Sequence, residues 1–190
     1  ELSTENILTN YTQINGTVYK IISDNNGGYF ICGNFTVPGY PAVNNVAHIF
    51  SNYTIDPNFN VDVKKIVYDI MLYGNKLYIG GNFQYIGTTK RIVVAAVDPA
   101  NGSLLSWDAN IDSLNGVYCH GLAAYGNQIY VGGRFAKVGG TTRANLVEVD
   151  TITGAKTTFN PNPGTNGYIY CLKTSNDTLY ISGEFTTMFG

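Results

Sequence analysis

The stretch Leu77-Tyr-Ile-Gly-Gly81-Asn-Phe83 decides the fold, because variants of it occur four times along the chain. Tyr29-Phe-Ile-Cys-Gly33-Asn-Phe35 precedes it, and Ile129-Tyr-Val-Gly-Gly133-Arg-Phe135 and Leu179-Tyr-Ile-Ser-Gly183-Glu-Phe185 follow. The last glycines of these phrases stand 48, 52 and 50 residues apart. Two further series keep step with them: Tyr19, Tyr68, Tyr118 and Tyr170 at 49, 50 and 52, and the aromatics Phe59, Trp107 and Phe159 at 48 and 52. Self-similarity at one period marks a repeat architecture, in which each unit buries its apolar face against the next.

Each unit reads as four short strands. The first covers residues 18–22, 66–72, 117–124 or 169–172 and runs into a tight turn such as Tyr73-Gly-Asn-Lys76 or Tyr125-Gly-Asn-Gln128. Gly and Asn tolerate the positive φ of a two-residue hairpin, so the first two strands are expected to pair antiparallel. The second carries the marker phrase and ends in a Gly-Gly step suited to a bulge or a close backbone approach. The third covers 46–50, 92–97 and 145–149, and Asp/Pro/Gly turns at 98–102 and 150–154 reverse the chain into a fourth strand holding the aromatic. No stretch has helical periodicity, so the fold class is all-β. Leu77, Ile79 and Phe83 point to one face of the marker strand and Tyr78 to the other, as expected where a sheet is sandwiched between two others.

Four-stranded antiparallel units at this period are the blades of a β-propeller. Residues 1–190 then form one repeat region: a partial unit 1–16, units 17–64, 65–115 and 116–166, and a partial unit 167–190. That is an incomplete propeller or part of a longer one. With Tyr11 as the first fourth-strand aromatic, the sequence begins after a third strand and stops after a second, which leaves an unpaired edge as a template for another chain.

Composition narrows the function classes. With 13% charged residues, a net charge of -2, 15 Tyr and 22 Gly, the chain is neither a disordered tail nor a charged helical bundle. It lacks the basic stripe that nucleic acid or an anionic membrane requires. No run approaches the ~18 apolar residues of a membrane span. Cys32, Cys119 and Cys171 give an odd count without a Cys-x-x-Cys pair, against a disulfide framework or a zinc site. Cys119 and Cys171 read as sharing one register on successive units, too far apart to bridge and therefore buried free thiols. Glu1 rather than Met opens the sequence. Asn-x-Ser/Thr sequons start at Asn10, Asn15, Asn34, Asn52, Asn101 and Asn176, and of these Asn15, Asn52, Asn101 and Asn176 are the glycosylation candidates if the source is eukaryotic.

The marker phrase, Arg143-Ala-Asn-Leu-Val-Glu-Val-Asp150, Thr153-Gly154, Phe159-Asn-Pro-Asn162 and Gly167-Tyr-Ile-Tyr170 together resemble the delta-sixty repeat, kelch-like β-propellers. Those occur in large secreted or surface-attached bacterial proteins and, in a related form, in fungal cortical polarity markers. The resemblance implies a propeller in an extracellular or cell-surface setting and carries no catalytic residues with it. Kelch units match less well: the double glycine and Trp107 fit, but Phe159 stands at the tryptophan place of the next unit. The first unit departs most, with Cys32 in place of a glycine and a Pro-Gly-Tyr-Pro insert at 38–41.

Chemistry-bearing motifs are sparse. There is no Gly-x-Ser-x-Gly elbow, phosphate loop or dinucleotide fingerprint. His48 and His120 lie at non-equivalent places and read as structurally satisfied or surface residues. Asp108 and Asp112 could be cast as a glycosidase pair, but Asp108 falls where Asn60 and Asn160 fall, which favours a role in loop structure. No cofactor is expected. Oxygen-rich runs at 56–62 and 160–162 leave a structural calcium open, without Asp-x-Asp-x-Asp-Gly spacing. The position after the marker glycine varies as Asn34, Asn82, Arg134 and Glu184 while its surroundings repeat. Arg134 and Glu184 are therefore the ligand-binding candidates, or else a contact between neighbouring units. The expected function is an extracellular, non-enzymatic binding or structural module, such as an adhesin, a surface or filament component or a virion fibre module. Its partners would be a protein or glycan at a surface, or a second copy through the unpaired edge. The alternative is a propeller-based glycan hydrolase or lyase.

Overall fold

The computed structural model describes residues 12–112, 116–164 and 167–188, so Asn10 and Tyr11 lie outside it. The described residues are all-β and form six small antiparallel sheets, one main sheet in each repeat unit and an additional two-stranded one in the second and third. The first unit holds β1 (Asn15–Ser23), β2 (Tyr29–Thr36) and β3 (Asn44–Ile49). The second holds β4 (Val67–Tyr73), β5 (Lys76–Gly81), the short pair β6 (Tyr85–Ile86) and β7 (Thr89–Lys90), and β8 (Val94–Val97). The third repeats this order with β9 (Tyr118–Tyr125), β10 (Gln128–Arg134), β11 (Lys137–Val138), β12 (Thr141–Thr142) and β13 (Leu146–Asp150). The fourth holds β14 (Tyr168–Ser175) and β15 (Thr178–Glu184). In each three-stranded sheet the marker strand is central: β1-β2-β3, β4-β5-β8 and β13-β10-β9.

The hairpin turns follow from their residues. Gly74 and Gly126 take φ of 57° and 56° at the first of two loop positions, where positive φ costs glycine little. Tyr73 then pairs with Lys76, and Tyr125 with Gln128.

At the other end of each hairpin the register slips by one residue. Tyr19, Tyr68, His120 and Tyr170 are the extra residues, bulged opposite the marker glycines. A Cβ on Gly33, Gly81, Gly133 or Gly183 would collide with the carbonyl oxygen of Thr17, Ile66, Tyr118 or Tyr168 respectively. Only glycine lets the first strand come this close, and the bulge is the result.

This register corrects three readings of the sequence. His120, not Tyr118, is the counterpart of Tyr19, Tyr68 and Tyr170; Tyr118 aligns with Tyr168, two residues earlier. Cys119 aligns with Ile169, so Cys119 and Cys171 do not share a register, and Cys171 is exposed while Cys32 and Cys119 are buried. The fourth strand is also absent as a strand: it shrinks to the isolated bridges Ile49 to Ile55, Val97 to Leu104 and Val149 to Lys156, with Phe59, Trp107 and Phe159 just beyond. The pairs β6-β7 and β11-β12, by contrast, were not foreseen.

The core is a series of layers between consecutive units. Phe30, Cys32 and Val46 of the first unit pack with Val67, Ile70 and Ile79 of the second. Tyr78, Val94 and Trp107 of the second pack with Cys119, Leu122 and Val131 of the third. Ala123 and Leu146 of the third pack with Ile169 and Leu172 of the fourth. Each Val, Leu, Ile or Phe side chain among them, when fully buried, contributes ~1.5–3 kcal/mol.

Entry into the third strand uses a left-handed residue in each of the first three units: Asn45 (φ 60°), Val93 (φ 57°) and Asn145 (φ 64°). Asn45 and Asn145 are buried, and their side chains accept from the N–H of Phe35 and Phe135 and donate to the carbonyls of Val63 and Gly164. Val93 holds the same conformation with a β-branched side chain, which is strained there. Asn145→Val should therefore lower stability by about 2 kcal/mol, read from urea midpoints at constant slope. An unchanged Asn145→Val midpoint would overturn this assignment.

Candidate functional site

The four bulges turn aromatic side chains onto one continuous row. Tyr19 packs against Tyr68 with ring centroids 5.5 Å apart, and Tyr68 stacks on His120 at 4.1 Å. Tyr118 meets His120 edge-on at 4.7 Å and lies parallel to Tyr168 at 6.4 Å. Tyr168 and Tyr170 are parallel at 6.5 Å, and His120 meets Tyr170 at 6.1 Å. The row crosses all four units and is half-exposed, with Tyr19 and Tyr170 at its open ends.

Arg134 and Glu184 end up on this row. The Arg134 guanidinium sits over the Tyr168 ring at 5.3 Å, and Tyr170 donates its hydroxyl to Glu184 Oε1 at 3.0 Å. No ion pair joins Arg134 to Glu184 among the described residues; each reaches a tyrosine of the fourth unit instead. Burial pushes the Tyr118 phenol up, with Tyr168 adding to this and Arg134 opposing it. Burial also holds the His120 imidazole below its ordinary range, so the ring is neutral at pH 7. The row thus offers phenol hydroxyls and an imidazole, a cation with N–H donors, and one carboxylate.

Behind the row lies a buried ionic link. Asp69 on β4 pairs with Lys20 on β1 and accepts the Leu122 N–H of β9 at 2.7 Å, joining three units. Burial pushes its carboxyl up, against the pull of Lys20.

A second cluster surrounds His48. Its Nδ1 stands 3.0 Å from Asp56 Oδ2 and its Nε2 3.1 Å from Asp24 Oδ2, while the ring stacks on Phe30 at 4.7 Å. Both ring nitrogens are thus engaged by carboxylates of the same unit, which leaves neither open to an incoming ligand. Among the described residues no group of three or more His, Cys, Asp or Glu is placed to bind a metal ion. The calcium-like run at 56–62 is engaged locally, with Asp56 Oδ1 accepting from the Asn58 N–H at 2.9 Å. Asp108 and Asp112 serve separate partners: Asp108 accepts from Asn110 and pairs with Arg91, and Asp112 accepts from the Gly140 N–H. The side chains of Asn15, Asn52, Asn101 and Asn176 are exposed.

Sequence reasoning singled out Arg134 and Glu184 but missed His120 as a member of the row and missed the contacts of His48. The first was recoverable, since His120 keeps the 52-residue spacing of the marker glycines from Tyr68. The second depended on loops that bring residues 24, 48 and 56 together without a sequence signal.

Burial would raise the Asp24 carboxyl, but the N–H groups of Asn26 and Gly28 and the ring of His48 outweigh it and hold the value below 3.8. A depressed folded value contributes stability that is complete above the unfolded carboxylate range and lost as pH falls through the folded value. Asp24→Asn should therefore lower stability by about 1–3 kcal/mol at pH 7. The gap from wild type should close as pH falls through and below the ordinary carboxylate range, measured by urea titration at several pH values. A gap that stays constant with pH would contradict the charged contact.

No protein-family model matches the chain and no curated protein matches it, so the reading of the aromatic row rests on its own geometry.

Proposed function

We propose that the chain is a non-enzymatic, extracellular binding module whose sheets are blades of a β-propeller and whose aromatic row takes a glycan. The observation that carries this is the half-exposed series Tyr19, Tyr68, Tyr118, His120, Tyr168 and Tyr170, crossing four units on one side of the first strands. Tyrosine suits sugars because its ring packs against C–H faces and its hydroxyl bonds ring substituents, with few rotamers to freeze. Arg134 supplies donors and Glu184 an acceptor for vicinal hydroxyls. The blade reading is supported by the repeat, by the layers packed between consecutive sheets and by first strands that lie beside one another from unit to unit.

An enzymatic reading requires two carboxylates facing one bond. Glu184 is the one carboxylate placed on the row among the described residues, bonded to Tyr170.

A glycan array followed by titration calorimetry tests this. Tyr68→Ala and Arg134→Ala should each weaken binding about tenfold or more, equal to ~1.4 kcal/mol. Arg134→Ala should leave the melting temperature unchanged, because Arg134 is exposed. A reducing-sugar assay should stay silent. Loss of stability in Arg134→Ala, or unaltered affinity in both variants, would remove the site.

A further inference from the structure

The two outer faces of the described array are unequal to the inner ones in a complementary way. The residue two places after each bulge carries the contact with the preceding unit: Ile70, Leu122 and Leu172 are 0%, 3% and 5% exposed, whereas Ile21, in the same register, is 61% exposed. The receiving face shows the converse. Cys32, Gly80 and Gly132 are buried under the next unit, while their counterpart Ser182 is exposed. Tyr180 is 58% exposed where Phe30 and Tyr78 are 2% and 1%.

The side chains at these junctions come in matched sets. Glycine leaves room for the incoming side chains: a Cβ on Gly132 would lie 2.5 Å from Ile169 Cγ2 and 3.0 Å from Leu172 Cδ1, and one on Gly80 would lie 2.6 Å from Cys119 Sγ. Where the receiving residue has a side chain, as at Cys32, the incoming pair is Val67 and Ile70. Ser182 is likewise a small residue with a side chain, and the leading pair of the first unit is the half-buried Val18 and the exposed Ile21. The outer faces thus repeat the chemistry of the junction between the first and second units.

We propose that the face around Ser182 and Tyr180 of one copy receives the face around Val18 and Ile21 of a second copy, in the register by which the first unit receives the second. Such a contact is heterologous, so copies assemble head to tail into a ring or a filament. It also sets Tyr170 of one copy beside Tyr19 of the next and continues the aromatic row across the junction.

Sedimentation velocity over a concentration series tests this with two variants, each first confirmed as folded by urea titration. Ile21→Asp blocks the leading face, and Ser182→Trp blocks the receiving face. Wild type should form species larger than dimers as concentration rises, and each variant alone should stay monomeric. Their equimolar mixture should double the weight-average mass, because one variant keeps each competent face. Three outcomes overturn the proposal: wild type monomeric throughout, which would leave these faces to a different partner; variants that assemble like wild type, as pairing through the open edge of β15 would give; or a mixture that stays monomeric.

Discussion

Four glycines without a Cβ hold the first strand of each unit closer to the second than any other residue would allow. Gly33, Gly81, Gly133 and Gly183 each face a backbone carbonyl of that strand at a separation that excludes a side chain. The chain accommodates the approach by bulging one residue outward opposite each glycine. The bulged residue is aromatic in every unit, and because the bulges recur at one register the rings fall into line. A steric condition on the backbone thereby sets the geometry of the candidate site, which depends little on side-chain packing around the rings themselves.

Between units a second glycine-dependent approach operates. Gly80 and Gly132 let Cys119, Ile169 and Leu172 insert against the preceding sheet, and the apolar layers between units form around these approaches. Each inner sheet buries apolar residues on both faces, which accounts for a chain in which 44% of residues are hydrophobic and 13% charged. The bulk on both faces of the marker strand, as in Leu77, Tyr78 and Ile79, follows from the same sandwiching.

The period and the hairpins were legible because each has a local cause: a turn with Gly in positive φ, alternating apolar residues, a glycine that must lack a side chain. What was not legible depended on counting across a bulge. Tyr118 lies within two residues of the expected place and is aromatic, so it displaced His120 in the alignment, and the shift carried Cys119 into false register with Cys171. The left-handed series Asn45, Val93 and Asn145 was hidden by its middle member, since valine gives no sign of positive φ. The fourth strand failed for a different reason. Its aromatics are anchored by their side chains, as when Trp107 Nε1 donates to the Asp150 carbonyl at 2.9 Å, and that fixes the segment without a hydrogen-bonded ladder. The clamp on His48 joins loops from one unit and has no counterpart in the others, so the repeat could not point to it.

One position shows how a repeated backbone acquires an order. Directly after the bulge stand Lys20, Asp69, Gly121 and Cys171, a cation, an anion, no side chain and a thiol on one shared geometry. Asp69 is buried, and burial alone disfavours its charge; it is offset by Lys20 on one side and the Leu122 N–H on the other. Were units exchanged, the carboxylate would face a neighbour with no cation, and an unpaired buried charge costs several kcal/mol. Apolar layers of similar Val, Ile and Leu side chains discriminate poorly between neighbours, since swaps of similar volume cost little. The ionic link, a modest contributor to net stability, is thus the element that distinguishes the first three units from one another and fixes which aromatic stands next to which along the row.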